Sequence, residues 1–255
     1  MNATHLPVYS VSALQDNYIW IFPTGPESVA VVDPGEEGPV NRFLSDRKRR
    51  LSHILLTHHH HDHIGGVMAL CKSHSSLVVG ARADGSRLPH LDLPVSDAAL
   101  LTLGTLQVRV LETPGHTSGH VVYHVEDALF VGDTLFRYGC GRLFEGTPAQ
   151  MWHSLLKIRA FPDQTRLFSA HEYTLSNLRF ARDLEPDHPE LQQQSATISH
   201  MLDQGTPTLP VELHWEKRFN PFLRCDDPLF AAKIGAGTLT PEAVFATLRE
   251  RRNRF

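Results

Sequence analysis

The run Thr57-His58-His59-His60-His61-Asp62-His63-Ile64-Gly65-Gly66 places five histidines and one carboxylate in six consecutive positions. Neutral imidazole and carboxylate are the donors that zinc and its first-row neighbours accept. An idle histidine tract of the tag type belongs at a terminus. This one follows the apolar stretch Ile54-Leu55-Leu56 and is closed by Gly65-Gly66, whose freedom suits a tight turn. His58 and His60 are two apart, so an extended loop projects them the same way. Asp62 and His63 are adjacent, which by itself suits two neighbouring metals better than one. Three further donors, His116, Asp133 and His171, each come just after a strand-like stretch: Thr105 to Leu111, Ala128 to Val131 and Arg166 to Ser169. Donors on loops at strand ends are what a rigid scaffold with a functional rim offers.

The elements that must position these donors are legible in the apolar patterning. Residues 8–14, 18–22, 28–32, 51–56, 77–79, 105–111, 120–125, 128–131 and 166–169 read as strands. Glu126-Asp127 reads as a hairpin turn, and Val32-Asp33-Pro34-Gly35 as the stop after the third strand. Helices are expected over 38–46, from Asp62 to about Cys71, and over 151–160, where Thr147-Pro148 gives a start signal. Beyond Tyr173 the pattern becomes helical, over 176–184, 190–204 and 241–251, with prolines between. A mixed strand-and-helix domain over 1–173 and a small helical domain over 174–255 are therefore expected.

At 255 residues the chain can bury a large core, and its net charge of −4 gives no sign of wholesale nucleic-acid binding. The cysteines Cys71, Cys140 and Cys225 are odd in number and far apart, which argues against a disulfide framework or a thiolate zinc site. The amino terminus lacks a basic segment followed by an apolar one, and no apolar run is long enough to span a bilayer. A soluble protein of the reducing cytoplasm is expected, with a small molecule as its partner and neither nucleic acid nor membrane.

The donor pattern resembles the Thr-His-x-His-x-Asp-His motif of the metallo-β-lactamase superfamily. Within it the chain is similar to the glyoxalase II (hydroxyacylglutathione hydrolase) family. The resemblance runs over nearly the whole chain, through Asp16-Asn17-Tyr18, Val32-Asp33-Pro34-Gly35 and Thr113-Pro114-Gly115-His116-Thr117. It continues through Gly132-Asp133-Thr134-Leu135-Phe136, Gly139-Cys140-Gly141-Arg142, Glu145-Gly146-Thr147, His171-Glu172-Tyr173-Thr174 and Asn220-Pro221-Phe222. It implies an α+β fold, a four-layer αββα sandwich followed by a small α-helical carboxy-terminal domain. It also implies two divalent metals, zinc first and iron or manganese as alternatives. His58, His60 and His116 would hold one, and Asp62, His63 and His171 the other. Asp133 would bridge them, with His59 and His61 in variable slots. Asp33 would orient a ligand. The glutathione part of the substrate would meet Arg142, in place of a lysine, and Phe144, in place of a tyrosine. Tyr173, Arg249 and Arg252 would complete that set. The bland reading of the basic tail is a solvated helix end favoured by the helix dipole.

The chemistry implied is hydrolysis of S-D-lactoylglutathione to D-lactate and glutathione, the second step of methylglyoxal detoxification, by a monomeric enzyme. Two metals can share a water and make it hydroxide near neutral pH, so no serine or cysteine nucleophile is needed. Asp62 and Asp133 would be the acidic residues closest to that chemistry, and Cys140 would be a small buried residue. The rivals are a one-iron glutathione persulfide dioxygenase, a lactonase, a metal-dependent nuclease, and a non-catalytic metal-binding or redox-sensing module.

Overall fold

The computed structural model describes residues 5–255; residues 1–4, part of the amino-terminal stretch read for a leader, lie outside the described residues. The chain divides into two compact units, one formed by the chain to Glu112 with Ser118–Gly132, the other by Thr113–Thr117 with Asp133–Phe255.

The first unit runs β1 (Tyr9–Ala13), β2 (Asn17–Pro23), β3 (Ser28–Val32), α1 (Glu37–Asp46), β4 (Arg50–Leu55), α2 (His61–Ile64), α3 (Val67–Ser73), β5 (Leu77–Ala81), β6 (Leu93–Val95), β7 (Leu100–Leu103), β8 (Leu106–Glu112), β9 (Val121–Val125) and β10 (Ala128–Gly132). β1 to β6 make one sheet in sequence order, antiparallel at first and parallel from β3 onward. Parallel strands need a crossover that covers one face. Here Ile19, Ile21, Val29, Val31, Ile54 and Leu56 cluster with Val40 and Leu44 of α1 and with Val67 and Leu70 of α3. The alternate residues Trp20, Phe22, Ala30, Val32 and Leu55 are buried too, so the centre of the sheet is covered on both faces. β7 to β10 form an antiparallel meander. The two sheets face each other, since Phe22 and Phe130 stack at 5.2 Å and the Tyr123 hydroxyl donates to the Leu56 carbonyl at 2.7 Å. The unit is thus layered helix, sheet, sheet. The β9–β10 turn falls at Glu126-Asp127 as expected, with Glu126 at φ 52°.

The second unit runs β11 (Leu135–Phe136), β12 (Gly139–Cys140), α4 (Pro148–Arg159), β13 (Arg166–Ser169), α5 (Thr174–Leu184), α6 (Pro189–Asp203), β14 (Val211–Glu212), α7 (Leu213–Phe219), α8 (Pro228–Lys233) and α9 (Pro241–Arg254). α4 starts where Thr147-Pro148 signals: Thr147 and Gln150 exchange both bonds of a capping box, with Pro148 at the first helical position. Leu178 and Ala181 of α5, Leu191 and Ile198 of α6 and Phe219 of α7 surround the fully buried Tyr138.

Three readings change. The helix expected from Asp62 to Cys71 is two helices, α2 and α3, broken at Gly65-Gly66. Those glycines have ordinary right-handed angles, φ −57° and −84°, so turn freedom is not why they are glycine. Space is: a Cβ on Gly66 would lie 2.6 Å from the Glu36 carbonyl carbon and 2.8 Å from the Pro34 oxygen. The strands β6, β7, β11, β12 and β14 and the helices α7 and α8 were not anticipated. Several are too short to show a period, and β6 contains Pro94, a residue confined to edge positions.

Phe130 is fully buried where the two sheets meet. Phe130→Ala is expected to cost about 3–5 kcal/mol of unfolding free energy, read by denaturant titration; a loss below about 1 kcal/mol would mean that the sheets are not held there.

Candidate metal centre

In the first unit the donor run leaves the end of β4 as a loop and enters α2. Its geometry is set by one buried carboxylate. Asp33 Oδ1 accepts the Thr57 amide at 2.8 Å, and Oδ2 accepts the Thr57 hydroxyl at 2.7 Å and faces His63 Nδ1 at 3.0 Å. A carboxylate can only accept, so Nδ1 of His63 carries the proton and Nε2 keeps its lone pair. The Thr57 hydroxyl has spent its own proton on Asp33. It therefore accepts from His58 Nδ1, 3.0 Å away, which leaves His58 Nε2 as a lone pair as well. That Nε2 lies 2.9 Å from His60 Nδ1, and His63 Nε2 lies 3.5 Å from Asp62 Oδ2. Both separations are natural for donors that share a cation.

Two more contacts shape this half. Asn17 donates its amide to Asp62 Oδ2 at 3.1 Å and to the Asp62 carbonyl at 3.3 Å. The buried His120 ring stacks on His58 at 4.9 Å. Gly132, at φ 49°, lets β10 end against them, since a Cβ there would lie 2.5 Å from Thr57 Oγ1. His59 faces Asp84 Oδ2 at 2.9 Å, and His61 is exposed.

In the second unit His116, Asp133 and His171 are all buried. Asp133 turns one oxygen to each imidazole: Oδ2 is 3.3 Å from His116 Nε2, and Oδ1 is 3.5 Å from His171 Nε2. His116 Nδ1 donates to the Arg142 carbonyl at 2.8 Å, so its Nε2 is again the lone pair. Tyr173 stacks on His171 at 4.7 Å with the rings 3° from parallel, and Phe136 sets its edge against both. Phe144 is 63% exposed, its ring edge-on to His116 at 5.2 Å.

Arg142, Arg249 and Arg252 form a cationic group in the same unit. Burial holds the Arg252 guanidinium below its usual pKa, and the charges of Arg249 and then Arg142 add to the effect. Arg142 is exposed. Arg252 is half-buried and donates to Ser176 Oγ at 2.9 Å. Arg249 is different: it is buried and donates to the Cys140 carbonyl at 2.8 Å. Burial pushes the Cys140 thiol up to about 11 despite Arg249, so it stays protonated at neutral pH and offers no thiolate.

Each unit therefore carries a cluster of imidazole and carboxylate donors, suited to divalent metal binding, with the Nδ1 protons of His58, His63 and His116 held by Thr57, Asp33 and the Arg142 carbonyl. Every residue read from the sequence as a donor lies in one of these clusters. Not foreseen were the hold of Asn17 on Asp62, the stacking of His120, and the use of the Arg142 backbone. Asn17 sits in a motif that carries the family resemblance, but its type alone named no task.

Residues 12–187 match the model of the metallo-β-lactamase superfamily, and residues 172–255 match that of the hydroxyacylglutathione hydrolase carboxy terminus. The hydroxyacylglutathione hydrolase of Rhodobacter capsulatus is 45% identical over 98% of this chain and 99% of its own. That of Methylococcus capsulatus is 43% identical, with 98% of this chain and 99% of its own covered. Among solved structures, the BLEG-1 B3 metallo-β-lactamase superposes with a TM-score of 0.66 at 23% identity, covering 85% of this chain and 99% of its own, a likeness of fold.

Asp33→Asn puts an amide donor where His63 and Thr57 need an acceptor. Zinc affinity, read by competition with a chelating dye, is expected to fall about 10–100-fold. Wild-type affinity in a folded variant would show that Asp33 does not support the donors.

Proposed function

The chain is an enzyme of the hydroxyacylglutathione hydrolase family, within the metallo-β-lactamase superfamily, and on that footing we propose how its own residues do the work. The reading is hydrolysis of S-D-lactoylglutathione and related 2-hydroxyacyl thioesters to the hydroxy acid and glutathione, at a centre of two divalent metals. His58, His60 and His116 would hold one metal, Asp62, His63 and His171 the other, and Asp133 would serve both. The observation that carries the reading is Asp133, whose two oxygens are aimed at two different imidazoles. That division suits a carboxylate shared between two ions.

A metal pair held by these residues would supply polarisation of the thioester carbonyl and a water made nucleophilic near neutral pH. The chain's part is to keep each donor in its metal-ready state. Asp33 holds the proton at Nδ1 of His63, and the Arg142 carbonyl holds it at Nδ1 of His116. Asn17 fixes the Asp62 carboxylate. The leaving thiolate of glutathione needs no proton donor, in keeping with a buried, protonated Cys140. Arg142, Phe144, Tyr173, Arg249 and Arg252 meet the glutathione portion, where the cationic group answers its carboxylates. In this reading residues 1–173 carry the chemistry and 174–255 complete the substrate site. The metal is zinc first, with iron or manganese as alternatives. The enzyme acts as a monomer in the cytoplasm, on a small molecule and not on nucleic acid. Among the described residues no helix is long and apolar enough to cross a membrane.

The direct test is turnover of S-D-lactoylglutathione beside metal analysis, with about two metals per fully loaded chain expected. Rapid oxygen uptake with glutathione persulfide, and no thioester cleavage, would move the chain to the dioxygenase chemistry. Asp133→Ala is expected to lose metal and about three orders of magnitude in activity, from several kcal/mol of Lewis-acid stabilisation at about 1.4 kcal/mol per tenfold. Retention of both metals and activity would end the bridging assignment.

The arginines separate by the same logic. Arg252→Ala removes a charge-assisted contact of roughly 1.5–3 kcal/mol and should raise KM about tenfold or more with little change in kcat. An unchanged KM would return Arg252 to a solvated helix end.

A further inference from the structure

Between Asp133 and Arg142 the chain makes one tight hairpin. β11 and β12 pair Leu135 with Cys140 and Phe136 with Gly139, leaving Arg137-Tyr138 at the tip. Tyr138 has φ 58°, a conformation that a bulky residue holds only when its surroundings enforce it. Its side chain is buried in the helical core, and its amide donates to Glu216 Oε2 at 2.7 Å. Glu216, on α7, is fully buried. Its Oε2 also accepts from Asn220 Nδ2 at 2.8 Å, and the same Asn220 amide donates to the Phe136 carbonyl at 3.1 Å and the Gly139 carbonyl at 3.0 Å. Asn177 takes the Arg137 carbonyl at 3.2 Å, and Arg249 takes that of Cys140. The polar backbone of the hairpin thus ends on side chains of the helical segment.

A buried carboxyl is costly unless something is gained. Burial raises the Glu216 pKa to about 7, and its Oε1 has no hydrogen-bond partner among the described residues. The nearby Arg137 offsets little of that cost. An apolar residue would fill the space more cheaply, but it could not take the Tyr138 amide and the Asn220 amide together.

We propose that Glu216 is a positioning residue for the metal centre. Through Asn220 and the Tyr138 amide it clamps the hairpin that begins beside the bridging Asp133 and ends beside the Arg142 carbonyl, which fixes the His116 tautomer. The proposal rests on the dinuclear thioesterase reading. It adds that the precision of that site depends on a carboxyl that touches neither metal nor substrate.

The test compares wild type, Glu216→Ala and Glu216→Gln. Glutamine keeps the accepting oxygen and suits a site that already favours a neutral group. In the metal-free alanine variant, hydrogen exchange at the Tyr138 amide should quicken about tenfold or more. Zinc affinity should fall about 10–100-fold, the range for lost support of metal ligands. kcat should fall with metal occupancy, while KM measured at saturating zinc stays within about threefold. Glu216→Gln should restore all three. If Glu216→Ala does not fold, Asn220→Ser removes the amide from the Phe136 and Gly139 carbonyls and carries the same expectations. A folded alanine or serine variant with wild-type zinc affinity overturns the proposal, and so does a glutamine variant as defective as alanine. A wild-type protein that binds no metal pair, or cleaves no thioester, overturns the reading beneath it, whereas the exchange measurement reports on the clamp without metal.

Discussion

One buried carboxylate sets the terms for the histidine run. Asp33 accepts three hydrogen bonds, two from Thr57 and one from His63. Through the Thr57 hydroxyl its influence passes to His58. An imidazole placed without such a partner is free to exchange tautomers, and each exchange would turn a proton toward the cation. Asp33 removes that freedom from two rings at once. Its own backbone, at φ 51°, lies in the left-handed region, which an aspartate tolerates better than a β-branched residue would. The turn after β3 is therefore less a connection than a support for the loop after β4.

The second unit solves the same problem with different groups. His116 is fixed by a main-chain carbonyl, that of Arg142. A carbonyl holds its place only if its chain segment does, so the requirement moves from a side chain to a hairpin. That is why side chains of α5 and α9, and Asn220 just after α7, reach the carbonyls between Phe136 and Cys140. In the proposed reading the helical segment beyond Tyr173 would lend rigidity to His116 as well as arginines to the substrate.

How much of this the sequence discloses depends on the range of the interaction. The strands that carry donors were legible because both faces are buried and the apolar runs are continuous, as at Ile54-Leu55-Leu56. The donors were legible because five histidines and an aspartate in six positions have few other uses. Hidden were the contacts that span many residues. Asn17 reaches Asp62 across 45 positions, and Asn220 reaches Gly139 across 81. No local period or spacing encodes such a pairing. Gly65-Gly66 shows the opposite failure: the residue type was read as a turn, but the pressure came from the neighbouring chain at Pro34 and Glu36.

The carboxy-terminal arginines show why residue type and position do not by themselves assign a role. Arg249 and Arg252 are three apart on α9 and look equivalent in the sequence. Arg249 is buried, donates to the Cys140 carbonyl and lies over the Phe222 ring at 5.2 Å. Guanidinium donors already committed to the main chain are costly to redirect, since the carbonyls left behind would be unsatisfied in the interior. Arg252 is half-buried, and its bonds go to the side chains of Ser176 and Asn177. Those groups lose little when an anion competes for the arginine. A cation that recognises a substrate must be able to change partners, and one that fixes a hairpin must not. By that criterion the proposed reading would make Arg252 the first arginine to meet a substrate, with Arg249 holding the segment from which Arg142 projects.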